Sequence, residues 1–259
     1  MNYSLDLNTS LESPKLAKQY WYEVVKKDLL GCAITENAKN NPKECYLELL
    51  KYKPSDKLLI PGISVNTNYG EVLVYSYSAD FYDYGLFYEE KIDLKRLCDF
   101  CNKKNYLVSI AHPFGLISNS ATYLMGLNKL EKFIKKNNVG VETFNGVIGY
   151  LSYYMYDSFF LRKLRQLLEF FELHEFFRII GLGWISKKIT HKIDQKSYDM
   201  VYKFAAGIKL GKMAKFITGG SGTSRLDRLG SGVLILEIPK KILDIEDEQI
   251  RIQKILNRI

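Results

Sequence analysis

The amino-acid sequence predicts an α/β fold, and the pattern of its elements favours a barrel. Short β-rich runs recur along the chain, and stretches with helical spacing separate them. This alternation is typical of a parallel sheet in which helices connect successive strands. The runs are YSLDL near residue 3, GCAIT at 31, LLIPGISV at 58, EVLVYSY at 71, YLVSIA at 106, GVETF at 140, AKFITG at 214 and GVLILEI at 232.

The helical stretches and the glycine pattern narrow the choice of α/β fold. Helical spacing with charged faces covers residues 14 to 28, 42 to 52, 92 to 104 and 120 to 137, with prolines where two first turns begin. No G-x-G-x-x-G follows the first strand, as it would in a dinucleotide-binding fold. The sequence therefore predicts a distorted TIM-like (β/α) barrel of about seven strand units.

One long segment departs from the alternation. Residues 147 to 213 contain no clear strand, and aromatic and leucine side chains recur there at steps of three and four residues. We expect a helical insertion before the last strands of a single domain, 1 to 259, which ends in an amphipathic helix at about 240 to 259. The insertion is predicted to pack on the barrel, or else helices within 149 to 180 bind a protein partner or a membrane surface.

Composition excludes several classes of protein. The chain has 259 residues, 47% of them hydrophobic, which is enough for one large core. No apolar run reaches the roughly 18 residues that span a bilayer, and the first residues lack the layout of a signal peptide. Four cysteines, including a C-x-x-C at Cys98 and Cys101 on one helical face, do not indicate a disulfide framework. We therefore expect a cytoplasmic protein with reduced thiols and no transmembrane segment.

The charge balance is basic, with a formal net charge of +8. Such a balance suits a nucleic acid or another polyanionic partner. The excess is spread along the chain rather than gathered into one block, which is also typical of an ordinary solvated surface.

Polar residues follow the predicted strands, at the end where barrels carry their chemistry. In chain order these pieces are SLDLNTS (4 to 10), AITEN (33 to 37), IPGISVNTNYGEVLVY (60 to 75), IAHPFG (110 to 115), VETFNG (141 to 146) and ITGGSGTSRLDRLGSG (217 to 232). Together they resemble the ordered blocks of the PHP (polymerase and histidinol phosphatase) phosphoesterase family. Those blocks read D-L-H-x-H-T, A-I-T-D-H, P-G-x-E with a following G-H-x-L, A-H-P, x-E-x-x-N and G-S-D-A-H.

The resemblance implies a distorted seven-stranded (β/α) barrel that hydrolyses phosphate esters with up to three metal ions. Among the family's metal-binding positions compared, only His112, in A-H-P, is unchanged. Glu142 is also retained, but at a position better interpreted as part of the barrel framework. The residues that fall on the replaced positions, and that with His112 and Glu142 are expected at the barrel mouth, are Asp6, Asn8, Glu36, Asn37, Ser64, Glu71, Gly222 and Ser224.

These replacements predict the loss of most metal binding, and we expect no cofactor. An amide such as Asn8 is a weak neutral ligand, and Gly222 offers no side chain. The alternative is one retained divalent ion, such as Mg²⁺ or Mn²⁺, held by Asp6, Glu36 and His112. Without a metal, the ring of His112 is expected to hydrogen-bond Glu36 or another carboxylate.

The last block exchanges a metal-binding pair for glycines, hydroxyls and arginines. This composition can surround an anion with backbone amides and guanidinium groups, and the alternative is a solvated loop between a strand and a helix. The predicted anion-binding residues are Ser221, Thr223, Ser224, Arg225 and Arg228.

The function that the sequence favours is a PHP-like barrel that is non-catalytic or strongly altered and carries an anion- or phosphate-binding pocket. One alternative is a basic barrel that binds RNA or DNA. Another is a weakly active phosphoric ester hydrolase with a single remaining ion. If the protein is an enzyme, the candidates for acid–base catalysis are His112, Glu36 and Glu71.

Overall fold

A computed structural model describes residues 1–11, 13–114, 120–150, 159–179 and 181–259. Within them, eight strands lie where the sequence predicts strands. They are β1 (Asn2–Thr9), β2 (Gly31–Ile34), β3 (Leu58–Thr67), β4 (Gly70–Tyr75), β5 (Leu107–Ile110), β6 (Gly140–Asn145), β7 (Ile217–Gly220) and β8 (Leu234–Glu237). All eight belong to one sheet with the order β7-β6-β5-β4-β3-β2-β1-β8.

The helices also follow the sequence pattern, with two refinements. Gly126, with a φ of +81°, divides the predicted helix at 120 to 137. The predicted C-terminal helix is also two helices, because the side chain of Asp247 accepts a hydrogen bond from Ile250 N and starts a new one. The helices are α1 (Ala17–Lys26), α2 (Pro42–Lys51), α3 (Leu94–Lys104), α4 (Ala121–Met125), α5 (Leu127–Lys136), α6 (Phe159–Leu173), α7 (Glu175–Ile179), α8 (Leu182–Gly211), α9 (Lys240–Leu243) and α10 (Glu248–Leu256).

The alternation predicts a parallel sheet, and this prediction is wrong for the direction of two strands. β4 runs antiparallel to both β3 and β5, and β8 runs antiparallel to β1, while the other neighbours are parallel. Only residues 68 and 69 separate β3 from β4, and Thr67 pairs with Gly70 across that turn. A two-residue connection closes a hairpin, whereas a parallel neighbour needs a crossover of a dozen residues or more.

The sheet curls into a distorted barrel because β1 has two different neighbours on one edge. Its first half, from Asn2 to Leu5, pairs with β8. Its second half meets the end of β7, where Gly222 N donates to Asn8 O at 2.7 Å and Ser10 N donates to the Thr223 carbonyl at 3.2 Å. The predicted α/β barrel is thereby confirmed, with β7 returning to β1.

Two layers of apolar side chains hold the barrel. The inner cluster takes alternate residues of the strands, among them Leu5, Leu7, Ile60 and Tyr75, and includes buried residues of α9 and α10. The outer cluster lies between the strands and the surrounding helices, and α1 and α3 supply many of its members. All four cysteines are free and buried, and burial raises the pKa of Cys98 to about 12. The C-x-x-C pair on α3 therefore packs in the core as unreactive thiols.

The chain divides into two compact units. One comprises residues 1–147 and 207–259 and contains the barrel, and the other comprises residues 148–206 and contains α6, α7 and most of α8. Residues 151–158 and 180, which belong to the predicted partner-binding helices, lie outside the described residues. Among the described helices, none is both long and apolar enough to cross a membrane.

Substitution of Gly220 tests the close approach of β7 to β1. A Cβ atom at Gly220 would overlap the backbone nitrogen and Cα of Asn8, so Gly220→Ala must push the two strands apart. We expect the free energy of unfolding to fall by about 2 to 3 kcal/mol, as in other overpacked interiors. Urea denaturation measures the change.

Gly85→Ala is the matched control, because no atom lies within 4 Å of the Cβ that it would add. Its effect should stay within about 1 kcal/mol. Equal stability of the two variants would contradict the close approach of β7 and β1.

Candidate functional site

A chain of hydrogen bonds crosses the mouth of the barrel from β3 to the end of β5. The hydroxyl of Ser64 donates a short hydrogen bond to Glu71 Oε1, and Glu71 Oε2 lies 3.0 Å from His112 Nε2. Ser64 and Glu71 are on the paired strands β3 and β4, and His112 follows β5. The carboxylate that bonds the histidine ring is therefore Glu71 and not Glu36.

A second group of hydrogen bonds continues the network to β6, β1 and β2. Glu142 Oε2 accepts from His112 N at 2.8 Å, and Glu142 Oε1 accepts from Asn8 Nδ2 at 2.6 Å. The amide of Asn145 also donates to both oxygens of Glu142, and Thr35 Oγ1 donates to Asn8 Oδ1 at 2.9 Å. The network thus ties six strands together at their site-facing ends.

His112 is the member of this network with a buried polar atom that lacks a described partner. Its backbone is in the left-handed region, with a φ of +25°, and the bond from its N–H to Glu142 holds it there. Because the carboxylate of Glu71 can only accept, Nε2 carries the proton in their hydrogen bond. In the neutral ring Nδ1 is then the acceptor. Nδ1 is buried and has no hydrogen-bond partner among the described residues. A ligand that reaches this atom would meet a base when the ring is neutral and a donor when it is charged.

The ionisable groups of the network shift one another's pKa values. Burial lowers the pKa of His112, but the hydrogen bond to Glu71 and the charges of Glu142 and Glu71 outweigh it, and the net shift is upward. Burial raises the pKa of Glu71, yet the bonds from His112 and Ser64 bring it below its usual value. For Glu142, which is 2% exposed, burial dominates and raises the pKa. Both shifts favour an ionised Glu71 paired with a charged His112.

Asp6 does not join this network. Its carboxylate is fully buried and accepts hydrogen bonds from three backbone amides: Ser221 N at 2.8 Å and Asn8 N at 3.3 Å on Oδ1, and Gly230 N at 2.8 Å on Oδ2. Burial raises its pKa to about 7, although these donors favour the charged form. Asp6 therefore serves to fasten β1 to the segment that links β7 to β8.

Glu36 and Asn37 also serve the local backbone. Glu36 Oε2 accepts from Leu11 N, and Oε1 accepts from Asn37 N and from the side chain of Asn40. The side chain of Asn37 accepts a hydrogen bond from Lys39 N, and the backbone of Asn37 forms a parallel β-bridge with Ser64. Neither residue has a hydrogen bond to His112 in the described part of the chain, so the candidate acid–base group reduces to Glu71 and His112.

Two backbone amides of the glycine-rich loop, those of Ser221 and Gly230, donate to the carboxylate of Asp6. Ser221 also donates its hydroxyl to Asn8 O, and Thr223 Oγ1 accepts from Arg225 N. Arg225 forms two hydrogen bonds with Asp227 at the surface. Ser224 and Arg228 are both half-buried in the same loop. Of the residues predicted to bind an anion, Ser221, Arg225 and Arg228 thus already have their amides bound within the chain.

The residues at the family's ligand positions do not fit a metal ion in this arrangement. The described residues contain no group of three or more His, Cys, Asp or Glu side chains that could hold one. Both oxygens of Asp6 and both of Glu36 face N–H donors, which repel a cation approaching along the same lone pairs. The set of Asp6, Glu36 and His112 would have to give up these bonds to coordinate an ion.

Three contributors to the site were not predicted as members of it. Thr35 and Asn145 lie inside the blocks A-I-T-E-N and V-E-T-F-N, one residue before Glu36 and three residues after Glu142, so their place in these blocks was a usable signal. Lys27 is the third, because its Nζ donates to the carbonyls of Asp227 and Leu229 and steadies the loop. No sequence pattern marks Lys27, since it lies about 200 residues from its partners.

Comparisons with known proteins bear on the fold. No family model matches the chain, and no curated protein matches it. The crystal structure of PsfC from Pseudomonas syringae PB-5123 is similar to it, with a TM-score of 0.57 and 11% sequence identity, over 92% of this chain and 83% of PsfC. At this level of identity the likeness shows a shared fold.

The shifted pKa of Asp6 predicts a particular dependence of stability on pH. Because its folded-state pKa is about 7 and its ordinary value is 3.8, Asp6 favours folding in acid, and this contribution is lost as the pH rises from about 4 to about 7. A shift of this size is worth up to about 4 kcal/mol. Asp6→Asn removes the titration and places an NH₂ group against a backbone N–H, which costs about 1 to 3 kcal/mol throughout.

We therefore expect the variant to be the less stable protein at about pH 4 and to lose that disadvantage by about pH 7. Urea denaturation at the two pH values measures both proteins. The exposed Asp56→Asn is the control and should follow the wild type at both. Parallel pH profiles of wild type and Asp6→Asn would show that Asp6 stays ionised in the folded protein.

The bond between Glu71 and His112 can be tested by proton titration. Glu71→Gln keeps the side-chain shape and removes the charge. The pKa of His112 should then fall, because burial lowers it and the Glu71 carboxylate no longer raises it. The chain has only three histidines, and the ring protons can be followed by NMR. Glu89→Gln, at an exposed carboxylate, is the matched control. An unchanged pKa of His112 in Glu71→Gln would contradict the assigned pair.

Proposed function

We propose that this chain is a metal-free relative of the PHP phosphoesterases, which keeps the barrel and binds a ligand at its mouth without metal-dependent hydrolysis. One observation carries the proposal. The carboxylates at the positions that correspond to the family's ligands are Asp6, Glu36 and Glu71, and they accept hydrogen bonds from amides, a hydroxyl and the histidine of the chain itself. A metal centre requires those same lone pairs to be open toward a common point.

The atom of the site that can still form a hydrogen bond is His112 Nδ1. The raised pKa of His112 favours the charged ring, and a charged ring presents an N–H donor at Nδ1. A ligand with an oxygen acceptor, including a phosphate oxygen, would satisfy this buried atom. Glu142 and Glu71 lie on the other sides of the same residue, so a ligand with few negative charges suits the mouth best.

Metal addition and phosphoester hydrolysis test this proposal together. We expect protein treated with a chelator and then supplied with Mn²⁺ or Zn²⁺ to show no gain in hydrolysis of a generic phosphomonoester or phosphodiester. We also expect no rise in Tm, whereas an ion at a hundred times its Kd would stabilise the fold by about 2.7 kcal/mol.

His112→Gln is the matched variant for this experiment. If Mn²⁺ or Zn²⁺ stimulates hydrolysis in the wild type and His112→Gln abolishes that stimulation, a working metal centre survives and the proposal is wrong. Stimulation that persists in His112→Gln and through further purification would also contradict the proposal, because a metal-dependent activity would then exist without His112.

A further inference from the structure

Six lysines that are far apart in the sequence lie together at one end of the barrel. They belong to the segments that lead into three neighbouring strands: residues 102–106 before β5, 135–139 before β6 and 211–216 before β7. These strands run parallel, so the three segments share one end of the barrel, opposite the end at which His112 follows β5. The six lysines, which we call the lysine patch, are all exposed, and they are Lys103, Lys104, Lys135, Lys136, Lys212 and Lys215.

Hydrogen bonds connect the three segments to one another. Lys215 N donates to the Val139 carbonyl at 3.1 Å, which holds the third segment beside the second. Asn138 Nδ2 donates to Asn102 Oδ1 at 3.5 Å, which does the same for the second and the first. Neighbouring strands lie about 4.8 Å apart, so the three segments span about 10 Å. The sheet therefore gathers positive charge that the sequence distributes over more than a hundred residues.

The lysine patch contains no carboxylate. The three segments have no aspartate or glutamate, and the nearest in the sequence, Asp99 and Glu131, lie four residues before Lys103 and Lys135 on the same helices. Within the described part of the chain, none of the six lysines forms an ion pair.

Lysines before other strands at the same end differ in this respect. Lys26 and Lys27, before β2, form ion pairs with Glu23 at 3.3 and 3.9 Å. Lys57, before β3, lies 3.6 Å from Asp56. Uncompensated positive charge thus distinguishes the starts of β5, β6 and β7 from those of β2 and β3.

We propose that the lysine patch binds the phosphate backbone of a double-stranded nucleic acid. A duplex carries one negative charge per roughly 1.7 Å of its axis, so several phosphates fall within the span of the three segments. The exposed amides of Asn102, Asn105 and Asn138 lie among the lysines and can donate to phosphate and sugar oxygens. The patch lies at the other end of the barrel from His112, so this binding does not depend on the function proposed for the mouth.

The other side chains of the segments favour a duplex over two further polyanions. Proteins bind single strands by stacking the bases on exposed aromatic rings, but the aromatic residues here, Tyr106 and Phe216, are buried. Surfaces that bind an anionic membrane set large apolar side chains beside basic ones. The three segments expose no such side chain, and Ile217 is the one that is exposed directly next to them in the sequence. Contacts to phosphates alone suit a duplex, whose bases are stacked inside.

Fluorescence anisotropy with the full-length protein tests the proposal, with labelled duplexes of about 20 base pairs of DNA and of RNA as probes. We expect the wild type to bind at about 50 mM salt, and the logarithm of its association constant to fall against that of the salt concentration with a slope of about −5 for six contacts. K103Q/K135Q/K212Q removes one lysine from each segment. It should raise the Kd at least about tenfold and make the slope shallower by about 3.

K15Q/K18Q/K91Q is the matched control, because it removes the same charge from three exposed lysines outside the lysine patch. Its Kd should stay within about threefold of the wild-type value, with the slope unchanged. Tighter binding of one duplex would identify DNA or RNA as the preferred partner, and equal binding of both would show that the shared phosphate backbone is recognised. Circular dichroism confirms that each variant is folded.

Three outcomes would overturn the inference. The first is a wild type that binds neither duplex at low salt, and sedimentation with phosphatidylserine vesicles would then identify a membrane surface instead. The second is an equal loss of affinity in the two triple variants, since overall charge rather than the lysine patch would then be responsible. The third is a K103Q/K135Q/K212Q variant that keeps the wild-type affinity and slope, because the duplex would then bind elsewhere.

Discussion

The bonds between the Asp6 carboxylate and the amides of Ser221 and Gly230 are the constraint on which the barrel depends. β1 changes neighbours within its length, from β8 at its start to β7 at its end, and Asp6 lies at the change. The two amides bracket the segment that joins β7 to β8. One buried side chain therefore sets the position of both neighbours. A backbone amide that is buried without a partner costs free energy, so each of these bonds also satisfies an amide that the closure would leave unpaired.

The same chemistry organises the mouth of the barrel. Glu142 is buried like Asp6, and its oxygens accept from Asn8, Asn145 and the backbone of His112. A buried carboxylate is tolerated when donors surround it, and here amide groups supply the donors. Only at Glu71 does the partner carry a charge of its own. Hydrogen-bond donors thus satisfy Glu142 fully, whereas one ring atom of His112 has no described partner, and His112 joins the two parts of the site through its backbone and its ring.

The sequence was informative about where strands and helices lie, and much less about which strands and side chains pair with each other. The period of the apolar residues located all eight strands, but it carries no information on direction, so the antiparallel β4 and β8 were missed. The two residues between β3 and β4 were the available signal. At the site, block order indicated which residues follow strands, yet the pairing of Glu71 with His112 depends on barrel closure. The last loop was predicted to bind an anion with its amides, and that stays a prediction; two of its amides instead bind Asp6, a partner that no local pattern identifies.

The polar residues at the mouth supply what a carboxylate needs when it is buried. A metal ion supplies positive charge to several oxygens at once, and without it each oxygen requires a hydrogen-bond donor. The amide of Asn8 supplies one donor to Glu142 and accepts one bond from Thr35 in return, which a carboxylate at the same position could not do. The glycines of the last loop let the backbone itself reach Asp6, and an added Cβ at Gly220 would meet Asn8. Asparagine and glycine at these positions therefore have a common effect, since both bring N–H groups to buried carboxylates.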